Sequence, residues 1–184
     1  MILFFSVFYV MVLNLWSQTD DKLLLNAAVM QSSDAWRIVN DGVMGGLSNS
    51  AFELNKAENI VFSGTISLKN NGGFVSLRSP IKNYNLKNYS GFVISIKGDG
   101  EKCSISMKET SYFTGLFYTS SFRTEKNKWI TIKIPFENFS LYSYGKEKDS
   151  NPNIPLDNIK EISFLLGDKQ EGSFKVEIEY IKLY

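Results

Sequence analysis

Histidine is absent from this chain of 184 residues, and cysteine occurs once, at position 103. Without imidazole there is no Ser-His-Asp or Cys-His arrangement, and no zinc site built on histidine. A lone cysteine closes no intramolecular disulfide, so the fold rests on its apolar core. Cys103 alternates with Ser104 and Ser106 in a strand-like pattern, which predicts a buried, inert thiol. Charge of one sign is lacking too: 20 basic and 19 acidic residues leave a net charge of +1. That balance carries no electrostatic footprint for nucleic acid or an anionic membrane. No stretch holds a helical period, and neither internal repeats nor low-complexity tracts occur.

The one long apolar run opens the chain. Residues 1–17 carry no charged side chain, and Ile2 to Leu15 is broken only by Ser6 and Asn14. Its length suits a signal-peptide core better than a span of about 20 residues. The expectation is a signal peptide over 1–17 with cleavage ahead of Gln18, hence an exported, periplasmic or secreted protein. The alternative is a retained membrane anchor, with membrane contact only through that segment.

What remains, 18–184, reads as one domain rich in short strands. Ile60, Phe62, Gly64, Ile66 and Leu68 share one parity while Ser63, Thr65, Ser67 and Lys69 take the other, the period of a half-buried strand. Asn70-Asn71-Gly72-Gly73 turns it, and residues 73–78 form the return, stopped by Pro80. Similar signals mark strands at 92–97, 103–108, 113–122, 129–134, 162–166 and 174–183, about nine in all. A polar loop is expected from Tyr144 to Asn158, around Pro152 and Pro155. The fold class is all-β, an antiparallel sandwich or barrel, with a jelly-roll sandwich favoured.

The most informative segment is Trp36-Arg37-Ile38-Val39-Asn40-Asp41-Gly42-Val43-Met44-Gly45-Gly46-Leu47-Ser48. Asn40-Asp41-Gly42 is a turn tripeptide, because Asn and Asp side chains bond their own backbone and Gly accepts positive φ. With Gly45-Gly46 following, the chain is expected to double back, push Val43 and Met44 inward, and let Ser48 hold a free backbone N–H. The loop lacks the glycine-lysine ending of a P-loop and the spacing of a dinucleotide fold. A purely structural Ω-type loop and a binding loop both fit.

Together with the later Gly72-Gly73-Phe74-Val75-Ser76-Leu77-Arg78, this segment resembles the signature of the complex I intermediate-associated protein 30 family. That family carries a tryptophan, an Asn-Asp-Gly-Val-Met-Gly-Gly-x-Ser loop and a Gly-Gly-Phe strand ending in arginine, in this order. Residues 129–136 and 164–181 are similar to its later strands, so the resemblance spans roughly 36–184. It implies a galactose-binding-domain-like jelly roll and a non-catalytic binding or assembly (chaperone-like) module, here as an exported bacterial member. In mitochondrial members it implies help in assembling the membrane part of respiratory complex I.

No catalytic residue is assigned. Asp41, Glu53, Asp99, Glu101 and Glu109 are the carboxylates that a glycosidase would need in pairs, but nothing in the sequence sets two of them across a groove. No cofactor is expected. Jelly-roll modules can hold a structural calcium ion, yet no Asp-x-Asp-x-Asp-Gly loop marks one. Aromatic residues crowd around Gly115, and alternation puts Phe113 and Phe117 on one side and Tyr112 and Tyr118 on the other. Tyr112, Tyr118, Tyr142 and Tyr144 are therefore the candidate aromatic surface, since flat rings stack on sugars or anchor proteins. Arg78, a charge ending an apolar strand, is expected to be part-buried and paired with Asp41. The partner is a protein or, in the alternative reading of the chain as a carbohydrate-binding module, a glycan.

Overall fold

A computed structural model of the protein describes residues 21–184 except 111 and 113. The leader and Phe113 lie outside the described residues. Among these, two antiparallel sheets pack face to face.

The first sheet contains β1 (Lys22–Leu25), β3 (Asn49–Leu54), β4 (Ile60–Ile66), β6 (Gly91–Lys97), β9 (Trp129–Pro135) and β13 (Gly172–Leu183). Its order is β3-β4-β13-β6-β9. The 12-residue β13 pairs with β4 along its first half and with β1 along its second. The second sheet contains β2 (Arg37–Asn40), β5 (Val75–Arg78), β7 (Lys102–Lys108), β8 (Leu116–Arg123), β10 (Ser140–Ser143), β11 (Lys146–Asp149) and β12 (Glu161–Leu166), in the order β11-β10-β8-β7-β12-β5-β2. A four-residue helix, α1 (Ala27–Met30), is capped by Asn26, whose side chain accepts from the Val29 amide at 3.0 Å.

Alternation decides which side chains meet between the sheets. From β4, β12 and β13 come Phe62, Phe164 and Phe174, all buried. Phe62 meets Phe174 at 5.2 Å and Phe164 at 6.4 Å, both edge to face, so one ring ties the two sheets together. Cys103 is fully buried on β7 and burial pushes its thiol pKa far up, as the alternation predicted. Trp36 is buried as well, and its indole N–H donates to the Leu24 carbonyl at 3.1 Å, fastening β1 to the chain entering β2.

The expected polar loop over 144–158 is corrected at its start. Lys146–Asp149 is strand β11, although all four residues are exposed. Tyr144 (φ 47°) and Gly145 (φ 74°) form a two-residue turn with positive φ at both positions, whose twist suits a hairpin. The turn and the pairing with β10 make this strand, not burial, so no apolar alternation announces it.

Candidate functional site

The signature segments occupy two crossovers at one end of the sandwich. Residues 41–48 carry the chain from β2, an edge of the second sheet, to β3, an edge of the first; residues 67–74 carry it from β4 back to β5. Each crossover must leave one layer and enter the other, so its backbone amides lose the sheet ladder. Asp41 replaces those partners. Its buried carboxylate accepts from the Ser48 amide at 2.9 Å, the Ser48 hydroxyl, and the amides of Gly73 (2.5 Å) and Phe74 (3.3 Å). The Ser48 hydroxyl in turn accepts from the Ser67 amide at 2.9 Å, and the Asp41 amide donates to the Phe74 carbonyl at 3.2 Å. Asn40 Oδ1 takes the Ser50 hydroxyl at 2.7 Å.

Burial alone would raise the pKa of Asp41. The bonds from the Ser48 hydroxyl and from the Gly73, Ser48 and Phe74 amides more than offset it, and the pKa falls below the ordinary aspartate value. Two glycines make room for this carboxylate. A Cβ on Gly46 would stand 2.4 Å from the Asp41 carboxyl carbon, and one on Gly72 would stand 2.5 Å from Oδ2. Gly45 serves differently, ending the 3-10 turn Asp41–Met44 at φ 86°, where a Cβ is disfavoured.

Two expectations about this loop are corrected. Val43 and Met44 point outward, 73% and 55% exposed, and Leu47 is 56% exposed. The inward position of the turn is taken by the Asp41 carboxylate, which puts the apolar residues on the opposite side. Asp41 is also no partner of Arg78. Arg78 stands on the outer face of the second sheet, where Glu161, only 2% exposed, collects three cations. Lys108 Nζ lies 2.7 Å and Arg78 Nη1 3.6 Å from Oε1, and Arg37 Nη2 bonds Oε2. Burial would raise the pKa of Glu161, but Lys108 foremost, then Arg37 and Arg78, lower it below the usual carboxylate value. Sequence reasoning missed Glu161, Lys108 and Arg37. The available signal was a charge at the same end of three strands, which only the pairing Glu161↔Lys108 and Arg37↔Arg78↔Ser163 turns into a cluster.

The candidate aromatic surface does not assemble. Tyr118 faces the core at 6% exposed, its hydroxyl donating to Glu109, while Phe117 takes the outer face instead. Tyr142 pairs across from Phe117, and their rings stack at 6.1 Å and 9°. Tyr112 is exposed on a loop, and the ring of Tyr144 lies against Gly115, where a Cβ would meet it at 2.6 Å. Beside Tyr142, an open trough of about 520 Å³ runs over Thr119, Ser121, Ser140 and Lys102. Of the five candidate carboxylates, Asp41 and Glu109 are engaged as described, and Asp99 accepts the Lys175 amide at 2.7 Å and the Glu101 amide at 3.2 Å; none lines the trough. Among the described residues, no group of three His, Cys, Asp or Glu side chains could hold a metal ion.

Two packed antiparallel sheets of this order make a jelly-roll β-sandwich. The structure is similar to a family 11 carbohydrate-binding module from Clostridium thermocellum in complex with a mixed-linked tetrasaccharide, with TM-score 0.64 and 20% identity, covering 89% of this chain and 94% of that one. A family 30 carbohydrate-binding module is similar at TM-score 0.53 and 16% identity, with 89% and 98% covered. Identities this low establish the fold and nothing about ligands. By sequence the chain belongs to the complex I intermediate-associated protein 30 family, whose model matches residues 25–178. The mitochondrial complex I intermediate-associated protein 30 of Mus musculus is 23% identical, with 82% of this chain and 52% of that protein covered. Its Drosophila melanogaster counterpart is 25% identical, with 82% and 58% covered. The chain thus spans about half the length of the curated relatives it matches. These relatives are named mitochondrial, which overturns the expectation of an exported, periplasmic or secreted protein. That expectation rested on the apolarity of a leader that lies outside the described residues.

Proposed function

We propose that this chain is a non-catalytic binding module that associates with an assembly intermediate of respiratory complex I, docking through the tip of the 41–48 loop. One observation carries the reading. The loop is fixed from beneath by a buried carboxylate with four donors, yet it presents Val43, Met44 and Leu47 to solvent. A mobile loop hides apolar side chains at little cost, whereas a rigid one that keeps them exposed is built to meet another surface. Leu68, on the neighbouring crossover, adds a fourth part-exposed apolar residue, and Asn70 bonds the Gly45 carbonyl at 3.2 Å between them. Membership of the family supports the kind of partner.

The test is affinity purification from mitochondria with the wild type and a Val43→Asp/Met44→Asp variant. Complex I subunits should accompany the first and be depleted at least about tenfold with the second, at equal melting temperature, because removing a small anchor pair typically costs 2 kcal/mol or more, on the order of thirtyfold in affinity. Equal recovery would refute the docking role.

A second reading, glycan binding, is favoured by the open hydroxyl-lined trough beside Tyr142. It ranks second because Tyr142 is the one aromatic ring among the described residues lining the trough, so a sugar would find a single stacking platform there. Titration with a mixed-linkage tetrasaccharide, read by tyrosine and tryptophan fluorescence, tests it; saturable binding lost in Tyr142→Ala would promote this reading.

A further inference from the structure

We propose that the cations gathered on Glu161 form a binding site for a dianionic oxyanion, a phosphate group by preference, on the outer face of the second sheet. The inference is independent of the docking loop, since the residues lie on other strands. Arg37, Arg78 and Lys108 contribute +3 and Glu161 −1, so the four side chains sum to +2. Neutralising Glu161 requires one cation. The two in surplus repel each other, and burial foremost, then Arg37, disfavour the charged form of Arg78 against the opposing pull of Glu161. A dianion would cancel that surplus.

Geometry allows it. Lys108 and Arg78 are 16% and 21% exposed, sheltered enough to strengthen a Coulomb attraction and open enough for a ligand to reach them. Arg37, at 45%, stands on the rim. Donors remain unspent: Arg78 gives Nε to Ser76 at 3.1 Å and only a loose 3.6 Å contact from Nη1, which leaves the rest of its fork, and Lys108 has three N–H for one carboxylate. An arginine fork matches two oxygens of a phosphate. Ser163 stands in register between Arg78 and Ser106, and Ser106 precedes Lys108 by two on the same face, so small, buried hydroxyl residues floor the sheet between the cations. The nearby Lys82 is matched by Asp34 at 2.6 Å and does not alter the balance.

Calorimetric titration of the full chain with inorganic phosphate should show one saturable site with Kd on the order of 1 mM, and acetate should bind at least about tenfold more weakly. Arg37→Gln, a change at an exposed rim position, should weaken phosphate about tenfold, and Glu161→Gln, measured below its melting range, should tighten it. Lys133→Gln, on the outer face of the other sheet, should change nothing. O-phosphoserine separates the sources: tighter binding than phosphate makes the group part of a larger ligand, and equal binding makes it a free anion. No saturable site up to about 30 mM, a limit that still detects a Kd some tenfold weaker than expected, would overturn the proposal. So would equal weakening by Arg37→Gln and Lys133→Gln.

Discussion

Asp41 shows how a single charge serves structure where it was read as half of an ion pair. A carboxylate with four donors needs no cation, and among the described residues none pairs with it. Asp41→Ala would leave the buried Ser48 amide and the Gly73 and Phe74 amides without partners, at a cost of about 3 kcal/mol or more in urea unfolding. The pH dependence follows from the lowered pKa. The folded state holds fewer protons than the unfolded one below about 3.8, so this stability is present above the unfolded pKa and is lost as pH falls through the folded value. Glu161 adds to the loss in the same direction from about 4.5 downward. Melting curves across pH 2 to 6, a range that brackets the ordinary carboxylate values, should therefore fall more steeply for the wild type than for Asp41→Asn. Parallel curves would contradict the role given to Asp41. The glycines around it separate by mechanism: Gly45→Ala has space and bears only the left-handed backbone, about 1 to 2 kcal/mol, while Gly46→Ala and Gly72→Ala strike the carboxylate and should cost more. Equal melting temperatures for all three would contradict that ordering.

Among the elements, the strands that bury one face were legible because alternation registers what the core requires. β4 and β13 show this in Phe62 and Phe174. The charged β11 and the four-residue β2 were not, since a hairpin turn and an edge position define them. The signature loop was visible as a turn, but its polarity inside and apolarity outside reverse the usual expectation, because hydrogen-bond satisfaction of two crossovers outranks the burial of two side chains. Arg78 stood out in the sequence; its partner did not, because Glu161 comes to it from a strand 83 positions later. A mutant cycle checks the corrected pairing. Glu161→Gln leaves three cations crowded and should cost about 3 to 5 kcal/mol, and Arg78→Ala and Glu161→Gln together should cost less than their sum. Asp41→Ala and Arg78→Ala should simply add, and coupling between them would restore the discarded ion pair.

At the scale of the whole molecule, the sandwich offers two separate surfaces. One is the apolar tip at the crossover end; the other is the hydroxyl-floored outer face of the second sheet, with the Glu161 cluster and the trough. The proposed docking uses the first surface and the glycan reading would use the second, and fold alone does not choose between them. The direct measurement is site-specific photo-crosslinking in mitochondria, with the reactive group placed at Met44, at Thr119 in the trough, or at Lys133 as a control. Covalent adducts with complex I subunits from position 44, and few from 119 or 133, are the predicted result. Adducts from position 119 with none from position 44 would contradict the account and move the partner to the sheet face.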